Sequence, residues 1–113
     1  MHELSIAEEI KDLVFDELKK SNCKKINSLH LIIGEMTSIV PDALKMAFEE
    51  ITKGTSMERC KIFMKVVKTK VICKSCKKKF KPEDLNFFCP HCGSFDTEVI
   101  EGRELLIKKI VME

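Results

Sequence analysis

The stretch Cys73-Lys74-Ser75-Cys76 is followed, after twelve residues, by Cys89-Pro90-His91-Cys92. Two C-x-x-C pairs at this separation have the ligand spacing of a tetrahedral zinc site, because each pair can turn around one ion. Gly93 directly follows the second pair and can adopt the positive φ that directs backbone amides at sulfur. Four thiolates leave no open coordination position, so we expect structural rather than catalytic zinc. The predicted zinc ligands are Cys73, Cys76, Cys89 and Cys92.

Two disulfide bonds are the simplest alternative to a metal. The chain begins Met-His-Glu-Leu-Ser-Ile, without the basic and apolar regions of a secretory signal, so we expect it to stay in the reducing cytoplasm. Redox activity is the second alternative, but a thioredoxin-like motif has one C-x-x-C within a βαβ pattern. The two matched pairs favour zinc over both alternatives.

The length indicates one small domain, or a compact domain that carries a metal-stabilised appendage. The chain has 113 residues and a net charge of +2, which argues against a general polyanion-binding protein. No apolar run is long enough to span a membrane, so we expect a soluble protein. All the lysines of segment 70–98 lie between Lys70 and Lys81. This run is interpreted as a solvated face or as a docking patch for an acidic surface.

Two segments have the three- and four-residue apolar spacing of amphipathic helices. The first runs from Leu4 to Lys20, with acids in its first half and lysines at its end, as the helix dipole favours. The second begins at Pro41 and stops at Gly54. The expected buried faces are Ile6, Ile10, Leu13, Val14 and Leu18 in the first helix, and Leu44, Ala47, Phe48 and Ile51 in the second.

Three segments are predicted to be strands. Ile26–Gly34 alternates, with Leu29, Leu31 and Ile33 on one face. Cys60–Val71 and Glu104–Met112 are rich in apolar and β-branched residues.

The order of these elements predicts an α+β fold, a small sheet of about three strands covered by two helices, with a zinc-ribbon-like module inserted before the last strand. The expected domains are residues 1–69 plus 99–113, and a zinc-binding module at 70–98. The connecting arms, Lys68–Ile72 and Asp96–Gly102, would fix the module's orientation if they are extended and adjacent, and would let it swing if they are loose.

His2 is a candidate for a second metal site. A histidine at position two places an α-amino group, an amide nitrogen and an imidazole in consecutive chelate rings, and the next amide or the Glu3 carboxylate could add a fourth donor. Such donors suit Ni(II) or Cu(II) in a square plane, and copper binds them more tightly than nickel. The alternative is that His2 is an accident of a frayed terminus.

Several segments together resemble the HypA/HybF family of hydrogenase nickel-insertion proteins. They are the opening Met1-His2-Glu3-Leu4-Ser5-Ile6-Ala7, Gly34-Glu35 after a strand, Val40-Pro41-Asp42-Ala43-Leu44 with Ala47-Phe48, and the paired cysteines. The resemblance covers essentially the whole chain, and the opening combined with a late zinc module is highly specific.

The resemblance implies a nickel metallochaperone that is not an enzyme. It would deliver Ni(II), as transferred cargo, to the [NiFe] hydrogenase large-subunit precursor, together with the GTPase of the same pathway, HypB. By position, His2 would bind nickel with Met1 and Glu3 as additional contributors, and the four cysteines would hold zinc. His91 lies inside the second cysteine pair, so no family role of flanking histidines is assigned to it.

The remaining chemistry-bearing residues have simpler interpretations. Cys23 and Cys60 lie outside the pairs and are read as ordinary half-buried residues, and His30 as a packed or surface-facing strand residue. The four phenylalanines of the zinc module, Phe80, Phe87, Phe88 and Phe95, are expected to form its miniature core. The rival functions are a zinc ribbon that binds nucleic acid through lysine and phenylalanine, and a structural adaptor for which His2 is dispensable.

Overall fold

The computed structural model describes residues 3–84 and 86–113. The two helices are α1 (Glu3–Lys20) and α2 (Pro41–Ile51), and a short 3-10 helix spans Glu35–Thr37. The strands are β1 (Ile26–Gly34), β2 (Lys61–Val67), β3 (Lys70–Cys73), β4 (Lys79–Phe80), β5 (Thr97–Glu101) and β6 (Leu105–Met112). The predicted α+β fold, with a cysteine-containing module inserted before the last strand, is confirmed.

The chain divides into two compact units. The first holds the residues up to Ile32, together with Ser38–Lys65 and Leu106–Glu113. Its helices bury one face each, as their apolar spacing predicts, but Leu13 is 56% exposed and was wrongly placed on the buried face of α1. Ala7 is fully buried in that helix, because the buried face is rotated toward this small residue. The buried helical side chains are Ala7, Ile10 and Val14 in α1 and Leu44 and Phe48 in α2.

A three-stranded sheet has the order β2-β1-β6, so β1 is its central strand. The predicted alternation is confirmed, because Leu29 and Leu31 are buried and His30 between them is half-buried. The His30 ring stacks on Phe63 with a centroid distance of 4.7 Å. Its Nε2 lies 3.2 Å from the hydroxyl oxygen of Ser28. His30 is therefore a packed strand histidine, as expected.

The second compact unit holds Ile33–Thr37 and Val66–Leu105, with a sheet of order β4-β3-β5. Strand β3 pairs antiparallel with both neighbours: Val71 lies opposite Phe80 on one side and Val99 on the other. The two arms of the predicted module are therefore extended and adjacent, since residues 70–72 of β3 belong to the first arm and β5 lies within the second.

The single strand predicted from Cys60 to Val71 is wrong. The segment forms two strands, because β2 ends at Val67 and β3 begins at Lys70 in a different sheet. Thr69 lies between the two strands and is 3% exposed. A Cβ built on Gly102 would lie 2.9 Å from the Cα atom of Thr69. Thr69 therefore packs against the backbone of Gly102, and a continuous β-branched run does not reveal this interruption.

Gly34 packs tightly against the backbone of Gly102. A Cβ at this position would lie 2.1 Å from the carbonyl oxygen of Gly102. The Gly34 amide donates to the Glu104 carbonyl at 2.7 Å, and the Met36 amide donates to the Gly102 carbonyl at 2.7 Å. Only a residue without a side chain fits between these hydrogen bonds.

Candidate metal centre

The first cysteine pair forms a turn at the end of β3. The Cys73 amide donates to the Lys78 carbonyl at 2.9 Å, and the Lys77 amide donates back to the Cys73 carbonyl at 2.8 Å. Inside this turn the Cys76 amide points at the Cys73 sulfur, with an N···S distance of 3.5 Å. The turn therefore brings both sulfurs of the pair to one side of the backbone.

The second pair repeats the two backbone hydrogen bonds of this turn at the same sequence offsets. The Cys89 amide donates to the Ser94 carbonyl at 2.9 Å, and the Gly93 amide donates to the Cys89 carbonyl at 2.9 Å. The His91 amide points at the Cys89 sulfur at 3.4 Å. His91 thus contributes a backbone N–H, and its ring is not part of the four-residue cluster.

The fourth residue after the first cysteine of each pair has a left-handed backbone. Gly93 has φ of 77° and Lys77 has φ of 67°. The positive φ expected at Gly93 is confirmed. In the first pair a side chain occupies the same conformation, which costs an L-residue about 1–2 kcal/mol.

The four sulfurs converge at one point. The Sγ atoms of Cys73 and Cys92 are 3.5 Å apart, those of Cys76 and Cys89 are 3.7 Å apart, and all four lie within 4.8 Å of one another. Tetrahedral zinc with Zn–S bonds of about 2.3 Å places sulfurs roughly 3.8 Å apart. The cluster therefore fits a structural zinc ion, and the described residues contain no other such group of His, Cys, Asp and Glu side chains.

Hydrogen bonds from the turns favour thiolates. The Cys76 amide is the main cause that lowers the pKa of Cys73 to about 7. Burial opposes ionisation of Cys89, but the amides of Cys92 and His91 outweigh it and lower its pKa. The Ser94 amide favours the Cys92 thiolate, yet neighbouring sulfurs, Cys73 first, together with burial raise its pKa to about 12. Four thiolates this close need a cation between them.

The candidate nickel ligands His2 and Met1 lie outside the described residues. Glu3 is the first residue of α1 and is half-buried. Its Oε2 accepts a hydrogen bond from the backbone amide of Val40 at 3.1 Å. Val40 is the N-cap of α2 and makes no side-chain cap hydrogen bond of its own, so the Glu3 carboxylate satisfies an amide at that helix start.

The two cysteines outside the pairs stay apart from the cluster. Cys23 and Cys60 are both half-buried free thiols. Burial raises the pKa of Cys60 to about 11, which makes its thiol a weak nucleophile at neutral pH.

The expected phenylalanine core is wrong for two of its four members. Phe80 and Phe87 are half-buried, but Phe88 is 39% exposed and Phe95 is 82% exposed. The interior of the module is formed instead by Val71, Cys73 and Cys89, each fully buried. Cysteine is a small hydrophobe, so the metal-site residues themselves replace an aromatic core.

Comparison with known proteins gives one consistent result. The family model described as "Hydrogenase/urease nickel incorporation, metallochaperone, hypA" matches residues 1–112. A hydrogenase maturation factor HypA of Aquifex aeolicus is 34% identical over 113 residues, which cover 100% of this chain and 98% of that protein.

Two solved structures are similar over nearly their whole length. The solution structure of the Ni metallochaperone HypA from Helicobacter pylori has a TM-score of 0.69 and 25% identity, with 99% of this chain and 97% of that chain covered. A second match, the solution structure of a HypA protein, has a TM-score of 0.75 and 25% identity, with 100% of this chain and 97% of that chain covered. In the described part of this chain, no helix is long and apolar enough to cross a membrane.

Proposed function

The chain belongs to the HypA family of hydrogenase/urease nickel-incorporation metallochaperones, and from this membership we propose that it delivers Ni(II) to the large-subunit precursor of [NiFe] hydrogenase. The observation that carries the proposal is the match of the family model over residues 1–112. The four-sulfur cluster supports it, because it fits the zinc module that the resemblance implies.

The nickel cargo is held at the N-terminus, in the domain formed by residues 1–69 plus 99–113. His2 supplies the imidazole, and Met1 supplies the α-amino group. Glu3 contributes through its amide, while its carboxylate oxygen is occupied by the Val40 amide at 3.1 Å. The first amides of a helix have no intrahelical acceptor, so a metal can take one without breaking the hydrogen-bond ladder of α1.

The module at residues 70–98 holds zinc through Cys73, Cys76, Cys89 and Cys92. A bound zinc ion neutralises part of the thiolate charge and ties the two turns together, which makes its binding energy part of the folding energy. Four protein ligands leave no position for substrate, so this zinc is structural rather than catalytic, in keeping with a proposed metallochaperone that is not an enzyme.

The activity is transfer rather than turnover. The proposed donors are single nitrogen atoms of consecutive residues, so a partner can displace them one at a time. Protonation of the amine or the imidazole weakens nickel binding, so affinity falls as the pH drops. The partners are the hydrogenase precursor and the GTPase HypB, and the exchange takes place in the cytoplasm.

Calorimetry on zinc-loaded, untagged protein tests the nickel site. We expect one nickel per chain, lost in His2→Gln and kept in His91→Ala, with unchanged zinc content in both. Glutamine is preferred to alanine because a small second residue promotes removal of Met1. Equal nickel binding by His2→Gln and the parent protein would exclude this site.

Delivery requires a second measurement. Purified nickel-free hydrogenase precursor is mixed with nickel-loaded protein and HypB, and nickel in the precursor is counted after separation. If the precursor gains nickel no faster from the loaded protein than from free nickel salt, delivery would be rejected. The nickel-binding site would still stand.

A further inference from the structure

Two phenylalanine rings lie exposed on the surface of the second unit. Phe95 is 82% exposed and Phe88 is 39% exposed. Their ring centroids are 5.7 Å apart and their planes are tilted by 39°. Single exposed apolar side chains are ordinary, but a contiguous aromatic pair on a small module is typical of an interaction surface.

The pair is fixed to both cysteine turns. A Cβ on Gly93 would lie 3.9 Å from the Phe88 ring, so this ring covers the second turn. The hydroxyl oxygens of Ser75 and Ser94 are 3.1 Å apart, which joins the two turns directly beside Phe95. We call Lys74, Ser75, Phe88, Ser94 and Phe95 the Phe88–Phe95 patch. A surface held in this way loses little conformational freedom when a partner binds.

Lys74 brings positive charge to this patch. The Lys74 amide donates to the Asp96 carbonyl at 2.8 Å, which places Lys74 next to the residue that follows Phe95. Within residues 3–84 and 86–113, the ion pairs use Lys20, Lys25 and Lys53, and none uses a lysine of the module. The exposed lysines of the module, from which those ion pairs are absent, are Lys74, Lys77, Lys78, Lys79 and Lys81.

From these contacts we infer that the Phe88–Phe95 patch binds an acidic segment of a protein partner, with an apolar side chain against the two rings and carboxylates facing Lys74. Apolar contact supplies the affinity, and the opposite charges fix the register and speed the encounter. The inference does not depend on nickel transfer.

Nucleic acid fits the patch less well than an acidic protein segment. The two rings are tilted against each other, whereas successive stacked bases need separately presented ring faces.

The test is an NMR titration of the ¹⁵N-labelled, zinc-loaded protein with a short synthetic peptide of alternating glutamate and leucine. We expect shifts confined to the two cysteine turns and to the residues around Phe88 and Phe95. Phe95→Ala and Lys74→Glu should each weaken binding at least tenfold. Both side chains are exposed, so both variants should fold and keep their zinc.

Matched controls come from α2, where Met46 is 69% exposed and Lys45 is also exposed. Met46→Ala and Lys45→Glu should leave the affinity unchanged. The inference is overturned if the peptide causes no shifts, if a glutamine–leucine peptide binds equally well, or if a thymidine oligonucleotide binds more tightly at the same residues. Self-association that Phe95→Ala abolishes would assign the patch to a second copy of the chain and would also overturn it.

Discussion

Replacing Gly34 by alanine should destabilise the second unit strongly. The added Cβ would lie 2.1 Å from the Gly102 carbonyl oxygen, 2.2 Å from its carbonyl carbon and 2.7 Å from the Arg103 nitrogen. All three contacts are with backbone, so no side-chain rotation can relieve them. The Gly34 and Gly102 segments must therefore move apart.

The magnitude follows from what this movement breaks. Overpacking of a well-packed site costs about 1–3 kcal/mol. The separation also stretches the hydrogen bonds from Gly34 to Glu104 and from Met36 to Gly102, both 2.7 Å long. Each contributes about 1 kcal/mol net. The expected loss is about 3–5 kcal/mol, which corresponds to a drop in Tm of more than about 10 °C.

Circular dichroism is the suitable assay, because the chain has no Trp and no Tyr for fluorescence. Thermal and urea unfolding of the zinc-loaded Gly34→Ala protein would be compared with Gly54→Ala. Gly54 has φ of 75° and nothing within 4 Å of its built Cβ, so alanine there meets only backbone strain of about 1–2 kcal/mol. Equal losses in the two variants would refute the steric argument.

Three further predictions follow from the metal centre. Lys77→Gly relieves the left-handed strain at φ of 67° and should stabilise the zinc-loaded protein by about 1 kcal/mol in urea unfolding; a destabilised variant would contradict this. In metal-free protein the pKa of the Cys73 thiol is lowered from 9.0 to about 7. The Cys73 thiolate therefore stabilises the folded state, fully above about pH 9, and this stabilisation is lost as the pH falls through about 7. Thiolate absorbance at 240 nm should show this ionisation near pH 7, and no step below pH 8 would reject it. Cys89→Ser should reduce zinc content at least tenfold by elemental analysis, whereas Cys23→Ser, outside the cluster, should keep full zinc.

Periodic patterns made much of the fold predictable. The alternation in Ile26–Gly34 placed Leu29 and Leu31 on the buried face, because a two-residue period has only one solution for a half-buried strand. The cysteine spacing placed the four sulfurs in one cluster for a similar reason, since each pair brings its sulfurs to one side of its turn.

Features that depend on tertiary contacts were not predictable. The break between β2 and β3 arises where Thr69 packs against Gly102, which is distant in sequence. Phe95 is exposed because Val71, Cys73 and Cys89 already fill the interior of the module. The sequence around Phe95 does not reveal how much space the folded interior leaves for its ring. Gly93 and Ser94 do mark the turn before Phe95, but the hydrophobicity of the side chain alone favoured burial.

The pairing of β3 with β5 also explains how this chain tolerates a long insertion. Lys70 and Glu101 are paired residues, so the polypeptide leaves and returns at neighbouring points. A segment whose two ends already meet imposes little closure entropy on its host, whatever its internal length. Evolution could therefore exchange, enlarge or trim the zinc-binding segment between these two residues while the surrounding helices and sheet keep the same connectivity.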